Sequence, residues 1–589
     1  MGCTTIPEVT RNTGTTPGAM TVRPNPLDER LGKVLLHPGS ALVDYVRIHG
    51  WPTALARFVD ETQQADPIDF TCGVDEIFQG GWSLFLEHPE EAVLAFDGNL
   101  GASACSLSRR CRNVVAVQLT RSSAVAVAER ARSEGIGNLS VLAWEDLQRE
   151  ELSLPAFDLI TIHDVDEFFP GPGPTGDRLQ DLLAWATIRL KIDGTLFVSG
   201  SRDFDKIGLF RSLQAFRACG LKARTLIDFY EDIRAPAIIR TILDRDHGMW
   251  SPVRLGKYLV RSRNFGIVAS RGNSDARRKG TADLLERIGK TGASGKAEWD
   301  GDVHVGSQGV LRLMTEREVI RLPRTEAGLR SCHANRDALN RMATTRLKEY
   351  VPASLDFSLE PLPYFSEERI TGFPVAYERC GLRALESVTE QALDILEQMN
   401  ISTPDTSQLD EPTFDKHFGD PIRRLLQGER EAKWFLPLLD RMRDRLLGMP
   451  FPCGTAHGDF KVSNFLADRK GRLVGLIDWD RSCEEAPLIV DAVVLAGFNL
   501  HLTSHLPWIE AILALPGERI WGRTPRRFMG RMAMGDAPLE PWVLLTVLHL
   551  LSWAPPLYLG IRRWRRENID PVFDFLREIF GVGSGGAAR

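Results

Sequence analysis

The spacing of apolar and polar positions changes character several times along this chain. Between residues 93 and 200, short apolar runs alternate with amphipathic stretches. In order they are Val93-Leu94-Ala95-Phe96, Ala102 to Arg110, Val114 to Val117, Ser122 to Ser133, Leu139 to Leu142, Phe157 to Ile162 and Gly194 to Val198. The short runs read as strands, and the stretches from 102 and 122 as helices. That alternation predicts an α/β doubly wound fold with a parallel sheet. From Val303 to Pro323 the period shortens to two, interrupted at Gly306, Gly309 and Thr315-Glu316, which predicts two or three strands joined by turns. A helix is expected over Ser331 to Met342, helical spacing resumes from Gly381, and Arg472 to Ile477 reads as one more strand.

A chain of 589 residues predicts two to four domains. Residues 271–298 are rich in Gly, Ser, Lys and Arg and nearly free of large apolar groups, so they read as a linker holding one short helix at Ala282 to Ile288. Residues 1–26 read as disordered. Two folded units are expected, 27–270 and 299–589. Near the end, Trp542 to Ile561 carries no charge and is followed by Arg562-Arg563-Trp564-Arg565-Arg566. His549 and Pro555-Pro556 interrupt it, so buried core helices are expected there rather than membrane contact.

Composition narrows the class. A net charge of −6 with 43% hydrophobic residues suits two packed cores and offers no basic footprint for nucleic acid. The nine cysteines form no CxxC pair, and no His/Cys cluster has zinc spacing. No basic segment followed by an apolar stretch opens the chain, which argues against a secretory signal and for a cytoplasmic protein. Oligomeric state is not legible in the sequence.

The most specific chemistry lies in His457-Gly458-Asp459, Asn464 and Asp478-Trp479-Asp480. Phosphoryl transfer asks a protein for a carboxylate aligned with the acceptor hydroxyl and for hard oxygen ligands that hold Mg²⁺ against the phosphates. Asp459 is placed to be that carboxylate. Asn464 follows it within one tight loop, and the strand ending at Ile477 delivers Asp478 as a charged ligand. HGDFKVSNFL followed by LIDWD resembles the aminoglycoside phosphotransferase and choline kinase group, a kinase-like two-lobed α+β fold. The resemblance implies ATP and Mg²⁺ as cofactors, Asp459 as base, Asn464 and Asp478 as metal ligands, and His457 as a brace of the loop. Lys461 falls where protein kinases place a lysine against the transferred phosphate. Asp480 matches a common acid, and Asp491 in PLIVDAVVL the buried acid that anchors the next segment.

The same resemblance divides residues 299–589 into a small lobe, 299–376, and a large lobe, 381–589. It puts Arg321 at the cation that steadies the α- and β-phosphates, Asp337 at the acid that pairs with that cation, and Val375 to Cys380 at the hinge, with Glu378 and Cys380 beside the adenine. The implied acceptor is a small hydroxylated molecule: a sugar, an aminoglycoside or a related metabolite. Asp405, Asp410 and Glu411 are candidate acids for a cationic acceptor.

The first unit resembles class I S-adenosylmethionine methyltransferases, most clearly in FDLITIHDV, RLKIDGTLFVSG and FRSLQAFRACGLKARTLIDFYEDIRAP. Carried over, the cofactor would meet Gly101, Gln118 and Asp146. The glycine-rich turn reads Ala95, Asp97, Asn99 and Gly101, and Gln118 stands where an acid accepts both ribose hydroxyls; an amide accepts at its oxygen alone. The expectation is a retained fold that does not hold the cofactor. A methyltransferase, or a bifunctional kinase and methyltransferase in surface-polysaccharide or secondary-metabolite biosynthesis, is the alternative, and a non-catalytic scaffold the second.

Overall fold

The computed structural model describes residues 42–51, 53–55, 82–83, 92–97, 100–150, 154–163, 175–201, 214–230, 238–244, 249–250, 264–271, 299–306, 309–359, 363–375, 377–400, 408–426, 432–535, 537–552 and 569–580. The expected disordered N-terminus and the short helix at 282–288 lie outside them.

The doubly wound sheet is present. Strands β1 (Ala92–Phe96), β2 (Asn113–Gln118), β3 (Leu139–Ala143), β4 (Phe157–Ile162) and β5 (Leu190–Ser201) are parallel in the order β3-β2-β1-β4-β5. Their side chains alternate between two buried layers, as strands covered on both faces must. Val93, Ala95, Val114, Ala116, Leu159 and Phe197 enter one layer; Leu94, Phe96, Val117, Ile160, Ile162 and Val198 enter the other. Helix α1 (Ala102–Ser108), two residues shorter than expected, packs into the first layer, and α3 (Thr175–Arg189) into the second. Between them in sequence lies α2 (Arg121–Ser133), capped by Thr120, whose side chain accepts the Ser123 N–H. Strands β6 (Leu221–Tyr230), β7 (Ile238–Asp244), β8 (Met249–Trp250) and β9 (Asn264–Arg271) continue the sheet antiparallel, with β9 between β5 and β6.

The small lobe does not stand apart from this sheet. Its strands β10 (Trp299–Val305), β11 (Val310–Thr315), β12 (Glu318–Pro323), β13 (Ser354–Ser358) and β14 (Tyr364–Glu368) join it through backbone pairing of Asp302, Val303 and His304 with Arg240, Ile239 and Ile238. One 14-stranded sheet results. The apolar layer containing Phe197 and Ile227 runs on through Val303, Leu313, Ile320 and Leu322. Helix α4 (Glu326–Met342) begins five residues earlier than expected, because Thr325 caps it by accepting the Gly328 N–H at 2.9 Å.

The large lobe follows. Helix α5 (Tyr377–Met399) is broken at Gly381, whose φ of 70° leaves the helical region. Short strands β15 (Phe373–Pro374), β16 (Cys453–Ala456), β17 (Phe465–Ala467), β18 (Leu473–Leu476) and β19 (Cys483–Pro487) flank the segments that hold His457, Asn464 and Asp478. Helices α6 (Leu488–Ser504) and α7 (Leu539–Ser552) are almost wholly buried. The uncharged stretch from Trp542 is therefore core packing as far as Ser552, where its described residues end. Among the described residues, no single helix is long and apolar enough to cross a membrane.

Candidate active site

Strand β16 ends at Ala456 and delivers His457-Gly458-Asp459 into a tight turn. Gly458 has φ 79°, and a Cβ there would stand 2.3 Å from the Arg481 carbonyl oxygen, so no other residue fits without moving the backbone. Asp491, in the first turn of α6, holds the turn from below. Its Oδ2 accepts the His457 N–H at 2.7 Å and its Oδ1 the Gly458 N–H at 3.0 Å. Complete burial pushes the Asp491 carboxyl up to about 7, against those two N–H donors, which favour its charged form.

His457 braces the second side. Its Nε2 donates to the Ile477 carbonyl at 2.9 Å and its Nδ1 accepts the Asp459 N–H at 3.3 Å, an arrangement that needs the neutral ring protonated at Nε2. Burial lowers its pKa and favours that neutral form. The ring lies 4.7 Å from the indole of Trp479, which is fully buried.

Asp459 is thereby fixed at the loop tip. Its Oδ2 lies 2.8 Å from Lys461 Nζ and accepts from Asn464 Nδ2 at 3.2 Å. Asn464 ends a single 3₁₀ turn, Val462–Asn464, and also donates to the Asp459 carbonyl at 2.8 Å. Its amide nitrogen is thus turned toward Asp459, leaving the amide oxygen for a cation. The Ile477 N–H donates to the Asn464 carbonyl at 3.0 Å, which brings the end of β18, and so Asp478, beside Asn464. Asp478 has φ 71°, a left-handed conformation uncommon outside glycine and typical of strained functional positions.

Two guanidinium groups face that carboxylate. Arg321 on β12 reaches Asp478 Oδ1 with Nη1 at 3.2 Å, and Arg312 on β11 reaches Oδ1 and Oδ2 with Nη2 at 2.9 and 3.2 Å. Burial alone would raise the Asp478 pKa, but Arg312 and Arg321 outweigh it and hold the carboxyl well below the usual carboxylate range. Asp480 accepts from the Ser331 hydroxyl at 2.8 Å.

The expected partner of Arg321 requires correction. Asp337 lies on the outer face of α4 with its side chain 52% exposed, paired with Arg336. Arg321 instead pairs with Glu367 of β14, through Nη2 at 2.8 Å and Nε at 3.2 Å. Asn335 of α4 completes the group: its Nδ2 donates to Glu367 Oε2 at 2.7 Å and its Oδ1 accepts the Trp479 N–H at 3.0 Å. Neither Glu367, Asn335 nor Arg312 was singled out in the sequence. The expected hinge also differs, since the backbone from Tyr377 onward is helical; the side chains of Glu378 and Cys380 lie outside the described residues.

The oxygen set fits Mg²⁺ carried by a nucleotide. Among the described residues no group of three or more His, Cys, Asp or Glu is poised as a cage. An amide oxygen and a carboxylate suit an ion that keeps waters and phosphates as its remaining ligands.

In the first unit, Asp97, Gly101 and Asp146 serve contacts within the protein. Asp97 at the end of β1 is fully buried, and its Oδ2 accepts the Ala104 N–H at 2.8 Å, so the protein's own carboxylate occupies the first turn of α1. Gly101 has φ 76°, and a Cβ there would meet Val127 Cγ1 at 2.5 Å, so it permits helix packing. Gln118 is 1% exposed with its Nε2 unpartnered. Asp146 pairs with Arg121 at 2.8 Å.

Residues 306–528 match the model of the phosphotransferase enzyme family, so this region, less than half of the chain, carries a domain of that family. The chain is also similar to an aminoglycoside phosphotransferase of Streptomyces rimosus solved with ADP and streptomycin, at 16% identity, covering 46% of this chain and 98% of that one with a TM-score of 0.33. An rRNA methylase of Streptococcus thermophilus is 12% identical, covering 33% of this chain and 94% of that one with a TM-score of 0.23. No curated protein matches the sequence.

Proposed function

We propose that the phosphotransferase domain is a working kinase that uses ATP and Mg²⁺ to phosphorylate a hydroxyl of a sugar, an aminoglycoside or a related small metabolite. One observation carries this reading: hydrogen bonds bring Asp459, Asn464 and the segment bearing Asp478 together, with Asp478 facing the two cations Arg312 and Arg321. Asp459 accepts the proton of the acceptor hydroxyl as the acceptor oxygen forms its bond to the γ-phosphorus and the bond from that phosphorus to the β,γ-bridging oxygen breaks, releasing ADP. Lys461, 2.8 Å from Asp459, holds the carboxylate in its orientation. Asn464 and Asp478 would hold Mg²⁺, which neutralises phosphate charge when bound. Arg321 steadies the phosphates from above. His457 and Asp491 position the loop and do not touch the reacting atoms.

For the first unit, the same reading is a doubly wound fold kept without its cofactor, because Asp97 occupies the helix turn that a cofactor carboxylate would need. The whole proposal is tested by calorimetric titration with Mg²⁺-ATP and by transfer of labelled γ-phosphate to a panel of hydroxylated acceptors. Binding with transfer to at least one acceptor supports it; absence of Mg²⁺-ATP binding contradicts it.

A further inference from the structure

Arg312 and Arg321 are direct cross-strand partners on β11 and β12, so their side chains leave the same face of the sheet. Two like charges so placed repel one another unless an anion lies between them. The anion here is Asp478, the residue read above as a metal ligand. The two arginines are not equivalent. Arg321 has a 4% exposed side chain and is occupied by Glu367 as well as Asp478. Arg312 is 31% exposed, makes no described ion pair except that with Asp478, and keeps its Nε buried without a partner. It has a spare donor and a partly exposed side chain.

We infer that Arg312 gates the metal site: it occupies Asp478 until a nucleoside triphosphate offers its phosphates in exchange. The inference rests on the kinase reading of the same cleft. Without nucleotide, a divalent cation approaching Asp478 must displace a guanidinium whose Nη2 bridges both carboxylate oxygens, and then stand beside two positive charges. With nucleotide, the guanidinium moves from carboxylate to phosphate, a partner its planar fork suits equally well. Asp478 Oδ2, which Arg321 does not contact, is then free for the ion that arrives with the phosphates. Metal binding thereby becomes conditional on nucleotide, and Arg312 becomes a phosphate contact. An Asn464 and Asp478 pair that is too sparse to cage an ion alone fits such an order of events.

The test uses the full chain and its Arg312→Gln and Arg312→Lys variants. Mn²⁺ binding is read by electron paramagnetic resonance without nucleotide, and Mg²⁺-ATP binding by calorimetry. Arg312→Gln is expected to bind free Mn²⁺ about tenfold more tightly than the parent and Mg²⁺-ATP about tenfold more weakly, the scale of one charged contact. Arg312→Lys, which keeps the charge without the fork, should stay close to the parent for Mn²⁺ and lose part of the ATP affinity. Opposite signs for the two ligands are the signature. Unchanged Mn²⁺ affinity in Arg312→Gln, or a fall in both affinities, overturns the gate. A parent that binds no Mg²⁺-ATP overturns the kinase reading instead, and the Mn²⁺ comparison still decides whether Arg312 blocks the ion.

Discussion

Arg321 of β12 and Glu367 of β14 form a buried ion pair, with Nη2 2.8 Å from Oε1 and side chains 4% and 7% exposed. Burial alone would lower the Arg321 pKa, but Glu367 and Asp478 outweigh it and keep the guanidinium charged. Removing one member of such a pair leaves an uncompensated buried charge, which costs about 3–5 kcal/mol. Glu367→Gln is therefore expected to lower the denaturation midpoint clearly and to weaken Mg²⁺-ATP binding, while Asp337→Asn changes neither. Urea unfolding with nucleotide titration checks both; a larger effect from Asp337→Asn would return the pairing to α4.

Asp491 gives a pH signature. Its folded pKa, about 7, lies above that of an exposed aspartate, so the native state holds its proton more firmly than the unfolded chain does. Its contribution to stability is full below about pH 4 and is lost as pH rises toward 7. Asp491→Asn, which cannot ionise, is expected to gain stability relative to the parent across that window, although it loses one of the two N–H contacts. Chemical denaturation from pH 4.5 to 8 reads this out. Parallel stability curves would mean that Asp491 stays ionised.

The fate of the first unit is open to direct titration. With the Asp97 carboxylate on the Ala104 N–H, S-adenosylmethionine is expected to leave the thermal midpoint unchanged, whereas Mg²⁺-ATP at 100 times its Kd stabilises by about 2.7 kcal/mol. A shift with S-adenosylmethionine would restore the bifunctional alternative.

The continuous sheet makes a prediction about truncation. Cutting the chain to residues 299–589 removes β7 and uncovers the β10 edge at Asp302, Val303 and His304. Val303 is fully buried, and exposed apolar edges invite association. The fragment should self-associate and melt below the intact chain, as size-exclusion chromatography and thermal unfolding would show; a monomeric fragment of unchanged midpoint would make the pairing dispensable.

The proximity of Asp459 and Asn464 is legible because they lie five residues apart, and a loop that small brings them together in any compact fold. The phosphate side was legible only at Arg321. Its partner Glu367 and its neighbour Arg312 are set by strand register, Val319 opposite Glu367 and Arg312 opposite Arg321, which the alternation pattern does not specify. Asp337 was misplaced for a similar reason. It stands two residues from Asn335, and two residues turn a helix by about 200°, so one faces the core and the other solvent. The linker composition of 271–298 likewise concealed that β7 and β10, before and after it, are sheet neighbours.

The central claim is that Asp459 takes the acceptor proton at a site that binds nucleotide independently of it. Single-turnover phosphoryl transfer by Asp459→Asn, measured beside its Mg²⁺-ATP affinity, tests this most directly. The account predicts a rate lower by about 10²–10⁴-fold, the usual contribution of a positioned general base, with nucleotide affinity within a few-fold of the parent. A variant that keeps the parent's rate would contradict it.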